Sequence, residues 1–184
     1  MARIKQPPPG KLIVSIIYSS LDALSDSLNA LERKFGKIQY ETLEVECEQA
    51  PLYAEEMGSK LSRRFFSFVN DISRDTLPSV KATCYKIEAQ FSDNIDNFHF
   101  RTVNIDPGLL TPTTLVIASH KEESHKVYLK DGVYGEIVMI YAHGGFCRLP
   151  WTKSDFCDEE TIAFLDRVKA TFGEPKSEQE MMNL

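Results

Sequence analysis

The stretch LIVSIIYSSLDALSDSLNALERKFG, residues 12–36, decides the fold. Its first seven residues, Leu12 to Tyr18, form an apolar run broken by one Ser, the pattern of a strand covered on both faces. Ser19 then stands as an N-cap with Asp22 three residues on, a capping-box-like start. Leu21, Leu24, Leu28, Leu31 and Phe35 recur at spacings of 3, 4, 3 and 4, the stripe of a helix that packs one face on a sheet, and Gly36 stops it.

The same plan repeats downstream. Residues 38–45 read as a more polar strand near a sheet edge, and a short helical turn around Tyr53, Glu56 and Met57 leads to Gly58. Residues 61–69, LSRRFFSFV, are an aromatic-rich strand. Residues 76–91 form a second helix whose stripe, Leu77, Val80, Cys84, Ile87 and Phe91, repeats the spacing of the first, with Pro78 tolerated in its first turn. Residues 98–105 close the unit as a strand. The order is β-α-β-β-α-β, a ferredoxin-like arrangement.

The last third departs from that plan. Asp106-Pro107-Gly108 reads as a turn. Residues 115–119, 126–130 and 133–141 read as a meander whose last two strands meet at Asp131-Gly132, a strong hairpin signal. Residues 146–149 add an edge strand. A third helix, 158–172, carries Asp158, Glu159 and Glu160 at its positive end and Ile162, Leu165, Val168 and Phe172 on its apolar face. The expected fold class is therefore α+β: a ferredoxin-like half extended by an antiparallel meander and a C-terminal helix. Residues 1–10 are expected to be a flexible segment, 11–173 one domain, and 174–184 a mobile acidic tail.

Composition narrows function by exclusion. With 184 residues, 42% of them hydrophobic, the chain is long enough for a core without disulfide or metal staples. Net charge is −6, and the whole excess lies in the second half, where residues 93–184 hold nine basic and fifteen acidic side chains. That balance argues against general nucleic-acid binding, which neutralises phosphates with Lys and Arg. The apolar run at residues 12–18 falls far short of the roughly 20 residues a membrane helix needs. Cys47, Cys84, Cys147 and Cys157 lack metal-binding spacing, and no signal peptide is recognised, so reduced packing thiols in a cytoplasmic protein are the simplest expectation.

Hairpin register picks out the candidate chemistry. A two-residue turn at Asp131-Gly132 pairs Lys130 with Val133 and sets Val127 opposite Glu136. A four-residue loop at 121–124 would pair His120 with His125, placing His120, His125 and Glu136 on one sheet face. Two imidazoles and a carboxylate suit a divalent metal or proton transfer; the alternative is a solvated hairpin mouth. Glu136 sits in an otherwise apolar strand, and a buried carboxylate needs a cation such as Arg101, Arg148 or Lys126. Asn104 and Asp106 form a second polar pair, with Asp106 either a base or metal ligand or simply a turn residue. Arg63 and Arg64, among Phe65, Phe66 and Phe68, are either a phosphate clamp, joined by Arg101, or one exposed face alternating with a buried one.

No GxxxxGK[ST] phosphate loop, GxGxxG fingerprint or GxSxG elbow occurs. Thr152-Lys153-Ser154-Asp155 has the TKxD form of a GTPase base-recognition motif without the loop that gives it meaning.

Several stretches together resemble one family: Glu56-Met-Gly58 with Leu61 and Arg63, Asn104-Ile-Asp-Pro-Gly108, Ala118-Ser119, His125-Lys-Val-Tyr-Leu129, Gly132-Val-Tyr-Gly-Glu136 and Leu149-Pro-Trp-Thr152. The chain is similar, from about residue 11 to 172, to a bacterial domain-of-unknown-function family whose members are often labelled "GTP-binding protein". The resemblance implies no established activity and carries over no catalytic residue.

Two functions from different classes follow. One is binding or hydrolysis of a phosphorylated or nucleotide-like small molecule at Asn104, Asp106, His125 and Glu136, with Arg63, Arg64 or Arg101 meeting the anion and a divalent metal as the candidate cofactor. The other is a non-catalytic interaction or homo-oligomerisation module using a sheet edge or an aromatic patch around Phe65, Phe66 and Trp151.

Overall fold

Side chains of the first strand point alternately into two buried faces, which explains the whole architecture. The computed structural model describes residues 3–48, 50–95 and 98–173. In chain order its elements are β1 (Gly10–Tyr18), α1 (Leu21–Phe35), β2 (Ile38–Glu41), β3 (Val45–Glu46), α2 (Ala50–Met57), β4 (Ser62–Ile72), α3 (Leu77–Glu88), β5 (Ser92–Ile95), β6 (Phe98–Arg101), β7 (Val103–Leu110), β8 (Thr114–Ser119), β9 (Val127–Lys130), β10 (Val133–Ala142), β11 (Gly145–Arg148) and α4 (Glu159–Ala170). Every residue of β1 is buried. Leu12, Val14, Ile16 and Tyr18 pack against Leu24 and Leu31 of α1 and Val80, Cys84 and Ile87 of α3. Ile13 faces the other way, into a cluster with Phe65, Leu115, Val138 and the α4 residues Phe164, Leu165 and Val168. Helices on both faces make β1 apolar at nearly every position.

Among the described residues the main sheet has nine strands, in the order β11-β10-β8-β7-β1-β4-β2, with β3 also paired to β4 and β9 to β10; its ladders are antiparallel. The described residues thus form a mixed α and β protein with four α-helices on an antiparallel sheet. β5 and β6 pair separately as a two-stranded sheet.

Several expectations need correction. The first helix is capped by Ser20 rather than Ser19, its side chain accepting from the Ala23 N–H, and Leu21 points into solvent. The strand expected at 38–45 is split into β2 and β3, because Thr42 turns inward between them and its hydroxyl accepts from the Phe65 N–H. The strand expected at 98–105 breaks at Thr102, β6 turning away to pair with β5.

The largest departure is at Asp106-Pro107-Gly108. These residues are the middle of β7, opposite Ser15, Val14 and Ile13 of β1. Pro107 is tolerated because β8 pairs with β7 only from Gly108 onward, so one side of the strand there has no ladder to donate to. Gly108 serves close approach: a Cβ at that position would lie 2.9 Å from the Val116 carbonyl and 2.5 Å from Ile117 Cδ1.

The meander is also rearranged. Asp131 and Gly132 both have positive φ, 52° and 75°, as a tight two-residue hairpin requires. Lys130 pairs with Val133 as expected, but the register then slips by one residue, so Val127 faces Gly135 and not Glu136. β9 pairs with β10 on the side away from β8, which excludes the expected pairing of His120 with His125. The expected acidic tail, residues 174–184, lies outside the described residues.

Candidate functional site

β7 and β8 part where their pairing ends, and a cleft of about 450 Å³ opens beside the unpaired half of β7. Its walls are Asn104 and Asp106 of β7 with Arg101 just before it, Lys81, Tyr85 and Glu88 of α3, and Tyr53 of α2. The opposite side is formed by Ser119 to Lys121, Glu123, His125 and Lys126 after β8, Glu136 of β10, and Trp151 with Lys153. Of the residues expected to act, Arg101, Asn104, Asp106, His120, His125 and Glu136 all line this one cleft.

They form two linked groups. In the first, the Asn104 amide donates to Asp106 Oδ2 at 2.6 Å, Arg101 donates to Asn104 Oδ1 at 2.9 Å and pairs with Glu56 at 2.9 Å, and the Lys81 ammonium donates to Asp106 Oδ1 and the Ile105 carbonyl, each at 2.9 Å. Burial alone would raise the Asp106 carboxyl, but the Lys81 ammonium and its hydrogen bond, followed by Arg63 and Asn104, outweigh it and hold the group at about 2. Burial alone would lower Lys81, and the carboxylates of Asp106 and Glu88 reverse that, leaving its ammonium above the ordinary lysine value. Asp106 is therefore a weak proton acceptor at neutral pH. Glu88 accepts from the Ile105 N–H, and burial pushes its carboxyl above the usual range.

The second group centres on His125. Its Nε2 lies 3.3 Å from both Glu123 Oε2 and Glu136 Oε1, and Lys126 Nζ lies 3.3 Å and 3.5 Å from the same two carboxylates. Glu136 is buried at 7% exposure, and of the three cations expected to compensate it, Lys126 is the one that does. Trp151 stacks on His125 with centroids 5.1 Å apart and rings 24° from parallel, held there by its indole N–H to the Ile137 carbonyl.

His120 does not join this group. It packs edge-on against Tyr85 at 5.6 Å, and burial together with the Lys81 charge lowers its pKa below the ordinary histidine value. Arg64 leaves the cleft altogether, donating to the Thr42 carbonyl and pairing with Glu41 on the other side of the sheet. Arg63 lies beneath the cleft, 1% exposed, hydrogen-bonded to Asp155 and packed near Phe65 and Phe156. It lines a small cavity of about 30 Å³ with Ser15, Asp106 and Glu136. That contact also commits Asp155, so the TKxD stretch has a structural use. Phe65 and Phe66 are fully buried, which removes the expected aromatic docking patch and leaves Trp151 alone at the surface.

Sequence reasoning passed over Lys81, Glu88, Tyr53 and Glu123. A signal existed for two of them. Lys81 and Glu88 fall on the buried stripe of α3 beside Leu77, Cys84 and Ile87, and charged groups on an apolar face need partners there. Burial also pushes the Tyr53 hydroxyl and the Cys84 thiol to about 12, so Tyr53 stays a hydrogen-bond donor and Cys84 a packing group.

Fold and cleft together define an α and β protein whose antiparallel sheet opens into a polar, aromatic-walled cleft. The chain belongs to the family described as a domain of unknown function (DUF4416), which matches residues 8–172. No curated protein and no solved structure matches it. Among the described residues, no helix is long and apolar enough to cross a membrane.

Proposed function

We propose that the cleft binds a small anionic molecule carrying a phosphoryl group, of nucleotide-like size. The observation that carries this reading is the concentration of cations in an acidic chain. Net charge is −6, yet Lys81, Arg101, Lys121, Lys126 and Lys153 line the cleft against four carboxylates. Lys81 and Lys126 are committed to those carboxylates, while Lys121 and Lys153 make no ion pair with a described residue and are available to an incoming anion. Tyr85, His120 and Trp151 supply flat faces for a ring to stack on. If the bound molecule is hydrolysed, His125 and Glu136 are the proton-transfer pair. The strand order β7-β1-β4-β2, crossing through α1 and α3, supports a ferredoxin-like half as the frame, and free thiols at Cys84, Cys147 and Cys157 support a cytoplasmic setting.

The test is a thermal-shift screen in EDTA with GMP, GTP and a sugar phosphate, each beside its unphosphorylated counterpart, and with pyrophosphate beside sulfate. A ligand at 100 times its Kd stabilises by about 2.7 kcal/mol, and each kcal/mol moves the midpoint roughly 2–4 °C in a chain of this length. The expected result is a shift for a phosphorylated member alone, lost in Lys121→Ala/Lys153→Ala. Equal shifts with and without phosphate, or none, count against it. A second reading, homo-oligomerisation, is favoured by one feature: β9 leaves Val127, Tyr128 and Leu129 exposed at a sheet edge. Light scattering decides it.

A further inference from the structure

The geometry points to a divalent-metal site formed by Glu123, His125 and Glu136 on the wall of the cleft, suited to a first-row transition-metal ion such as Zn²⁺ or Mn²⁺. One ligand atom from each of the three residues lies within 4.8 Å of the others. His125 Nε2 stands 3.3 Å from each carboxylate. A well-made charge-assisted hydrogen bond is shorter, about 2.7–2.9 Å. The observed spacing is instead the edge between two ligands that bind one ion at about 2.1 Å and subtend roughly 100° at it. Glu123 sits on the loop before β9 with its side chain about half exposed, so it is free to close the third edge.

Charge points the same way. Two carboxylates share one ammonium, that of Lys126, at 3.3 Å and 3.5 Å. With the imidazole neutral, as a metal ligand must be, one negative charge is left uncompensated beside the buried Glu136. A divalent ion supplies the missing charge and exceeds it by one, which suits an anion entering the cleft. Lys126 is in this view a competitor for the same oxygens.

Preorganisation is the third argument. The stack with Trp151, itself held by its indole hydrogen bond to the Ile137 carbonyl, restricts the plane of His125. One nitrogen and two oxygens select a transition ion over Mg²⁺ or Ca²⁺. Three protein ligands leave positions open toward the cleft.

The experiment is a calorimetric titration of the untagged full-length chain, stripped with EDTA and then freed of chelator, with ZnCl₂ and with MnCl₂ and no phosphorylated compound present. The expected result is one ion per chain and, in a parallel fluorescence titration, a change in the emission of Trp151, the single tryptophan. His125→Ala and Glu136→Gln should each weaken binding by about tenfold or more, whereas Lys126→Met should bind at least as tightly as the natural chain. Absence of binding in both the natural chain and Lys126→Met overturns the site, as does undiminished binding in His125→Ala. Should Glu136→Gln fail to fold by circular dichroism, His125→Ala decides, since its ring is partly exposed. No phosphorylated compound is present in this titration and no metal in the phosphate screen, so either proposal can fail alone.

Discussion

Replacing Asp106 by Asn probes the pair that closes one side of the cleft. The carboxyl is held at about 2 against an ordinary value of 3.8. At 1.36 kcal/mol per pKa unit, that difference is worth about 2 kcal/mol of folding stability. The sign follows from the direction of the shift. A carboxyl that protonates less readily in the fold than in the unfolded chain stabilises fully above pH 3.8, and its contribution fades as pH falls toward 2. The assay is urea unfolding of both chains, followed by circular dichroism, at intervals from pH 2.5 to 7. At pH 6 Asp106→Asn should be less stable by at least about 2 kcal/mol, because the buried Lys81 ammonium also loses its carboxylate. Toward pH 2.5 the two curves should converge. Because the Asp106 charge also raises the Glu88 carboxyl, the comparison is repeated in a Glu88→Gln background, where that coupled titration is absent. In a Lys81→Met background the same substitution should cost much less, since the partner is gone. A stability gap that stays constant with pH, or an equal cost in both backgrounds, refutes the reasoning.

Three further outcomes are expected. Arg63→Met should cost about 3–5 kcal/mol by leaving the Asp155 carboxylate buried without its guanidinium, and Arg63→Met/Asp155→Leu should recover most of that in urea unfolding. Gly108→Ala should lower stability by about 1–3 kcal/mol through overpacking against Val116 and Ile117. Gly132→Ala, where the new Cβ meets nothing within 4 Å, should show only the backbone cost of a positive φ, about 1–2 kcal/mol, and calorimetric midpoints will rank the two.

What was legible in the chain was periodic. The stripes of α1 and α3 and the Asp131-Gly132 turn are local, repeating signals, and the elements they marked are present. What was not legible depended on a neighbour. Pro107 and Gly108 carry the dipeptide signature of a turn, yet the same residues suit a strand that has one partner on one side and a close one just beyond; nothing within β7 states which neighbour ends where. The slip at Leu129 is of the same kind, one residue that moves Glu136 from facing Val127 to facing Ile117 of β8 alone. Asn104, Asp106 and Glu136 were legible because each is polar in an apolar strand context, whereas His125 was picked out by hairpin register and lies in the turn before β9. Glu123, on an exposed loop, had no such contrast, and His120 looked equivalent to His125 only while the two were thought to be cross-strand partners.

The place of the cleft in the sheet explains why its charges are of two kinds. Where β8 leaves β7, unpaired strand edge and water meet inside the fold, and Asp106 and Glu136 stand on the sheet face there. A carboxylate so placed is stable only with a cation at hand, and each has one: Lys81 reaching over from α3, and Lys126 from the loop before β9. These lysines answer a structural need and have little charge left for a ligand. Lys121 and Lys153 make no such ion pair with a described residue, although the Lys153 charge also favours the Asp155 and Glu48 carboxylates. Both line the cleft that an anion would enter, and that makes Lys121→Ala/Lys153→Ala the substitution that separates binding from folding: it should leave the urea midpoint nearly unchanged while abolishing the phosphate-dependent shift. A loss of both together would mean that these lysines, too, serve the fold.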